Sequence, residues 1–147
     1  MKISDLMPVD SILLSVKAKN KRQLLQEIAE FAAEKTKISD RTIFDTILER
    51  ENLGSTGFGG GTALPHGRLA EIDKVRVFLA KLSTPVDFES IDNKPIDILF
   101  LLLSPESNGA DHLTVLAQIS RILKDSNLVN KLRKASSKEE IYALLNN

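Results

Sequence analysis

Apolar positions recur along this chain with two different periods, and the changes of period predict its elements. Ser11–Val16 is short and apolar and suits a strand. From Asn20 the spacing turns helical. Leu24, Leu25, Ile28, Phe31 and Ala32 fall on one face, and Asn20 with Gln23 has capping-box spacing. A second helix is predicted over Asp40–Asn52, with Ile43, Phe44, Ile47 and Leu48 inward. Thr62–Leu64 can form a short strand, and Val75–Leu82 alternates enough to read as another. Ile96–Leu103, IDILFLLL, is nearly all apolar, as expected of a central strand covered on both faces. Between those two strands, Thr84–Pro95 reads as a loop with a short extended piece at Val86–Phe88. Helices are predicted over Asp111–Leu123, with Leu113, Leu116, Ile119 and Leu123 inward, and over Asn127–Arg133. A last helix, capped by Ser136 and Glu139, holds Ile141, Leu144 and Leu145. This order predicts an α/β fold: a single domain over residues 1–147, with a mixed central β-sheet flanked by helices on both faces.

Composition narrows the function mainly by exclusion. A chain of 147 residues suits one domain with a sizeable core. Its 20 basic and 20 acidic side chains balance, so no uniform field draws it to nucleic acid or to an acidic membrane. Cysteine is absent, which removes disulfides and thiolate metal sites and fits a reducing compartment. The N-terminal stretch carries Asp5 and lacks a long apolar core, so it does not read as a signal peptide. The longest apolar run, Ile98–Leu103, is far short of the ~20 residues that span a bilayer. These features predict a cytoplasmic protein with no membrane insertion and no nucleic-acid partner.

The chemistry concentrates in Gly54–Arg68, GSTGFGGGTALPHGR, which holds six of the chain's seven glycines. Glycine enters φ > 0 freely, so successive N–H groups there can turn toward one point and form an anion site. His66 stands at its end between Pro65 and Gly67, one fixing φ and the other removing bulk. The residues alone allow two readings of His66: a nucleophile for an anionic group, or a turn residue bonded to its neighbours. His112 lies in the first turn of a predicted helix, where the dipole disfavours imidazolium. It is either a neutral donor to an anion or a surface histidine at a helix start. Arg50 offers a planar fork for phosphate oxygens, or is simply a helix-end cation. Arg68 could act like Arg50 or serve in docking a protein. No Gly-Lys-Ser/Thr follows the glycines, Thr62 breaks the dinucleotide pattern, and no G-x-S-x-G elbow occurs. Two distant histidines make a poor metal site.

Arg50–Gly67, RENLGSTGFGGGTALPHG, resembles the active-site signature of phosphotransferase-system enzyme IIA domains of the fructose/mannitol type. Ser90–Leu103, SIDNKPIDILFLLL, is closely similar to the segment typical of the nitrogen-regulatory branch, and His112-Leu113 matches the family's second histidine. Only Gly60, at a variable position, and Thr62 and Leu64, often isoleucine, depart from the pattern. The resemblance implies a mixed sheet flanked by helices. It also implies phosphoryl acceptance on His66 from an HPr-type phosphocarrier protein, with His112 and Arg50 around the phosphoryl. Backbone N–H groups of Ser55, Thr56, Gly57, Gly59, Gly60 and Gly61 would complete the stabilisation of its oxygens. With such donors neither a metal nor a cofactor is expected. Phe58 and Leu64 could ring the site with apolar surface, and Phe58 reads equally as core. The family holds two roles. The free-standing chain and its Ser90–Leu103 segment side with regulation of partner proteins in nitrogen and potassium balance. The alternative is relay of phosphate to the IIB domain of a fructose- or mannitol-type permease.

Overall fold

The computed structural model describes residues 2–107 and 109–146. Helix α1 (Ile3–Leu6) and a 3-10 turn (Val9–Ser11) lead into strand β1 (Ile12–Val16). Helices α2 (Lys21–Thr36) and α3 (Asp40–Asn52) follow, then three short strands, β2 (Gly57–Gly59), β3 (Thr62–Ala63) and β4 (His66–Leu69). The long strands β5 (Arg76–Val86) and β6 (Ile96–Pro105) precede helices α4 (Gly109–Lys124), α5 (Ser126–Lys134) and α6 (Lys138–Leu145).

The described strands form one six-stranded mixed sheet in the order β1-β5-β6-β3-β2, with β4 also on β6. Strand β5 runs antiparallel to β6, while β1 is parallel to β5. Both β3 and β4 run parallel to β6 along the same edge: Thr62 and Ala63 pair with Ile98 and Leu99, and His66–Leu69 with Leu102–Pro105.

Side chains on a strand alternate between faces, and β6 shows how that fills two layers. Leu99, Leu101 and Leu103 enter the core beneath α2 and α3, with Leu25, Ile28, Ile43 and Ile47. Ile98, Phe100 and Leu102 enter the opposite core, with Val115, Ile119, Leu132 and Ile141 of the C-terminal helices. An apolar residue at every position from Ile98 to Leu103 is therefore required, and the α/β sandwich predicted from the sequence is the one observed.

Caps explain most helix starts. Asn20 accepts from the Gln23 N–H at 2.8 Å, and the Gln23 side chain accepts from Lys19 N at 2.6 Å. Helix α6 begins one residue later than predicted: Ser137, not Ser136, accepts from Glu140 N, whose carboxylate takes the Ser136 N–H. The inward face of α4 also differs. Ile119 and Leu123 are buried as expected and Leu116 packs partly buried on the core, but Leu113 is 62 % exposed, and His112 and Val115 are buried in its place. The helix starts at Gly109 with His112 turned against β6, which rotates Leu113 to the outside. Strand β5 continues to Val86, so the loop before β6 starts later than expected.

Candidate functional site

His66 is the first residue of β4 and not a loop residue; its backbone is held against Leu102 of β6. Gly67 lets this strand approach α3, since a Cβ there would come within 2.7 Å of the Thr46 methyl. The side chain faces an open cleft of about 550 Å³ between α3, β4 and the start of α4. Helix α3 contributes Thr46, Glu49 and Arg50 to its walls, and Leu53 stands at its edge. Arg68, Glu106 and His112 close the other side.

The imidazole of His66 has a defined tautomer. Its Nδ1 lies 2.9 Å from the carbonyl oxygen of Leu64. A carbonyl only accepts, so Nδ1 carries the hydrogen and Nε2 keeps its lone pair. Burial lowers the proton affinity of this ring below the ordinary histidine value. The Leu64 carbonyl works against that, Arg50 adds to it, and Glu51 opposes it. The balance keeps His66 neutral at pH 7, as a nitrogen nucleophile requires.

His112 is 5 % exposed, with its ring centroid 5.7 Å from that of His66 and tilted by 53°. Its Nδ1 lies 2.7 Å from Ser104 Oγ, a buried hydroxyl at the end of β6. Burial pushes its pKa down to about 4, helped by the Arg68 and His66 charges. His112 is thus a neutral group of the cleft wall and not a surface residue at a helix start.

Arg50 leans over the chain turn after α3 and donates to the Gly54 carbonyl at 2.9 Å. Arg68 packs beside Gly109 at the opening turn of α4. These two guanidinium groups are the positive charges of the cleft, beside two neutral imidazoles and the carboxylates of Glu49 and Glu106.

The glycine-rich segment goes elsewhere. Neither Ser55 and Thr56 nor Gly57, Gly59, Gly60 and Gly61 lines the cleft. Three of their N–H groups are engaged within the protein: Thr56 N with Glu51 at 3.0 Å, Gly57 N with Ser55 Oγ at 3.0 Å, and Gly60 N with Asp92 at 2.9 Å. Positive φ at Gly59, Gly60 and Gly61 makes the β2–β3 turn, whose Gly60 carbonyl accepts from Arg133. Thus His66, His112 and Arg50 come together, and the expected backbone anion hole does not join them. Leu64 is buried and Phe58 packs on the core beneath the C-terminal helices, so neither rings the cleft. The exposed apolar side chain there is Leu53.

Several residues of the site and its support escaped the sequence reading. Glu49 and Glu106 had no signal, being ordinary surface carboxylates. Ser104 lies where β6 ends, and nothing local marks it as the partner of His112. Glu51 had one: it follows Ile47 by four positions, so a charge falls on the apolar face of α3.

The chain matches, over residues 5–147, the family described as "Phosphoenolpyruvate-dependent sugar phosphotransferase system, EIIA 2". It belongs to that family. A nitrogen regulatory protein of Bradyrhizobium diazoefficiens is 46% identical over 145 residues, covering 99% of this chain and 95% of the relative. The fructose-specific EIIA component of Haloferax volcanii is 32% identical over 144 residues, covering 97% of this chain and 94% of the relative. Among solved structures, the nitrogen regulatory protein IIA-Ntr of Neisseria meningitidis superposes with a TM-score of 0.92 at 32% identity, covering 97% of this chain and 98% of that one. Membership supports a phosphocarrier role for this IIA protein, and relatives named nitrogen regulatory protein are more similar to it in sequence than the fructose-specific one. No helix among the described residues is long and apolar enough to cross a membrane.

Proposed function

We propose that this chain, as a single IIA domain over residues 1–147, accepts a phosphoryl group on Nε2 of His66 from an HPr-type phosphocarrier in the cytoplasm. It then regulates partner proteins, in nitrogen and potassium balance, according to its phosphorylation state. The observation that carries the reading is the His66 Nδ1–H bond to Leu64 O, which leaves Nε2 unprotonated and directed to the cleft chemistry.

The step follows from that geometry. The Nε2 lone pair attacks phosphorus in line, a P–N bond forms, and the bond from phosphorus to the donor imidazole breaks with its electron pair returning to the donor. Phosphoryl transfer asks for little beyond positioning and charge stabilisation. Arg50 and Arg68 supply positive charge. A Ser104 hydroxyl donating to His112 Nδ1 leaves the hydrogen on Nε2 of His112, the tautomer able to donate to a phosphoryl oxygen. Burial, which keeps His112 uncharged, also keeps it from repelling an incoming phosphocarrier imidazole.

Phosphorylation replaces a neutral ring by a group of charge near −2. Leu53, exposed at the edge of the cleft, gives the surroundings an apolar contact for docking. A regulatory partner seated there would lose affinity when the phosphate arrives, and like-charge contact at an interface costs several kcal/mol. The fructose-specific relative supports the second reading, relay to the IIB domain of a sugar permease.

Intact mass and phosphosite mapping after incubation with a phosphorylated HPr-type carrier test the first step; one adduct, on His66 Nε2, is expected. Pull-down with phosphorylated and unphosphorylated bait tests the second, with tenfold or greater discrimination by at least one partner expected. Equal recovery by both baits, together with restored sugar uptake in reconstituted membranes, would replace regulation by relay.

A further inference from the structure

Near His66, but outside the lining of its cleft, lies a buried ion pair. Glu51, in the last turn of α3, is 6% exposed. Its Oε1 accepts from Lys21 Nζ at 2.9 Å and from the Thr56 N–H at 3.0 Å, and its Oε2 accepts from the Thr56 hydroxyl. Lys21 is itself set over the Phe88 ring, 4.5 Å from the centroid. A buried carboxylate is stable only when its oxygens are fully bonded, and here both are.

The bonding continues from this pair to the reactive ring. Thr56 O accepts from Leu64 N at 3.0 Å. The carbonyl of that same Leu64 accepts from His66 Nδ1. Pro65 follows, its carbonyl bonded to Leu102 N at 3.1 Å, so the peptide between the two strands has little freedom. We infer that Glu51 is a positioning residue: through Thr56 and Leu64 it fixes the carbonyl that selects the Nδ1–H tautomer of His66 and so frees Nε2.

The inference rests on His66 as the acceptor, and it assigns to the glycine-rich segment a role through its bonds to Leu64. Thr56 touches no reacting atom. It transmits the position of a charge on α3 to the acceptor residue. The opposing influence of Glu51 on the proton affinity of His66 fits the same proximity.

Nitrogen-15 NMR of the two histidines, on unphosphorylated protein with no donor present, reads the tautomer directly. Wild type is expected to show Nδ1–H at His66. Glu51→Gln keeps the shape and removes the charge that holds Lys21 and Thr56. Thr56→Val removes only the hydroxyl bond and serves where Glu51→Gln fails to fold. Both are expected to move His66 toward the Nε2–H tautomer, to leave His112 unchanged, and to slow phosphoryl acceptance by about tenfold to a hundredfold, as a displaced reacting group does. A wild-type His66 in the Nε2–H form overturns the proposal. So does an unchanged His66 tautomer in the folded variants, even with a slower rate, because the network would then only pack the loop. The tautomer readout uses no phosphoryl donor, so it is decided separately from whether wild type accepts phosphate.

Discussion

The β2–β3 turn and the His66 cleft are near neighbours in sequence and opposite in construction. The turn holds Gly59, Gly60 and Gly61 at φ of 102°, 64° and 81°, and Gly60 lodges its N–H on Asp92. The cleft has one glycine in its wall, Gly67, and gathers side chains from α3, β4, α4 and the segment after β6. Glycine density marks where backbone must bend sharply. It does not mark where a ligand is held, because a bent backbone can direct its donors to its own protein. The cleft is instead made by a ring held through Nδ1 on the Leu64 carbonyl and by charges brought from other segments.

The largest expected effect separates the two regions outright. His66→Ala should abolish phosphoryl acceptance, read by intact mass after incubation with a phosphorylated HPr-type carrier. Its fold should survive, since one hydrogen bond contributes about 1 kcal/mol. A normal yield of adduct on the variant would move the acceptor out of the cleft.

Next is the pH dependence that burial of His112 creates. Its folded pKa, about 4, lies below the ordinary 6.5. The unfolded chain therefore binds the proton first, and stability falls as pH drops from 6.5 toward 4. At roughly 1.4 kcal/mol per pKa unit, the loss reaches about 3 kcal/mol. Urea unfolding across this window should show that much extra pH dependence in wild type over His112→Gln. Parallel curves would mean that His112 is solvated and its place in the wall is wrong.

The same substitution should slow transfer by about 10²-fold, the usual loss of one well-placed stabilising donor. Arg50→Lys should cost less, about tenfold, since charge remains while the planar fork is lost. Rapid-quench transfer kinetics measure both. Wild-type rates in both variants would reduce the site to His66 and Arg68.

The smallest effect sharpens the comparison from the other side. A Cβ on Gly60 meets nothing within 4 Å, so Gly60→Ala carries only the left-handed backbone cost of about 1 kcal/mol. Its transfer rate should equal wild type. A transfer defect at near-normal stability would return the turn to the phosphoryl site.

Much of the scaffold could be read directly from the residues. Ile98–Leu103 has an apolar residue at every position, and a strand's alternation then demands a layer on each face, which β6 has. Asn20 and Gln23 form the expected cap because capping depends on neighbours three residues apart. His66 stood out because Pro65 and Gly67 flank it, and those are local constraints as well. Local spacing was less decisive for α4. Leu113 and Val115 are both apolar, and only the docking of His112 on Ser104 settles which of them turns inward.

The site's assembly is a tertiary matter for a physical reason. Arg50, Arg68, Glu106 and His112 meet because β4 pairs in parallel with β6 and α3 packs on β4, contacts between segments far apart in the chain. The direction of the Ser55–Gly61 donors was likewise undetermined by composition. Glycine permits many backbone paths, and the acceptors Glu51 and Asp92, on other elements, select one. The sequence by itself thus determined the layers, the cap of α2 and the candidate histidine. The packing of α3, β4 and β6 decided what surrounds that histidine and which of its nitrogens is free, because those depend on hydrogen bonds and burial that exist only once the segments meet.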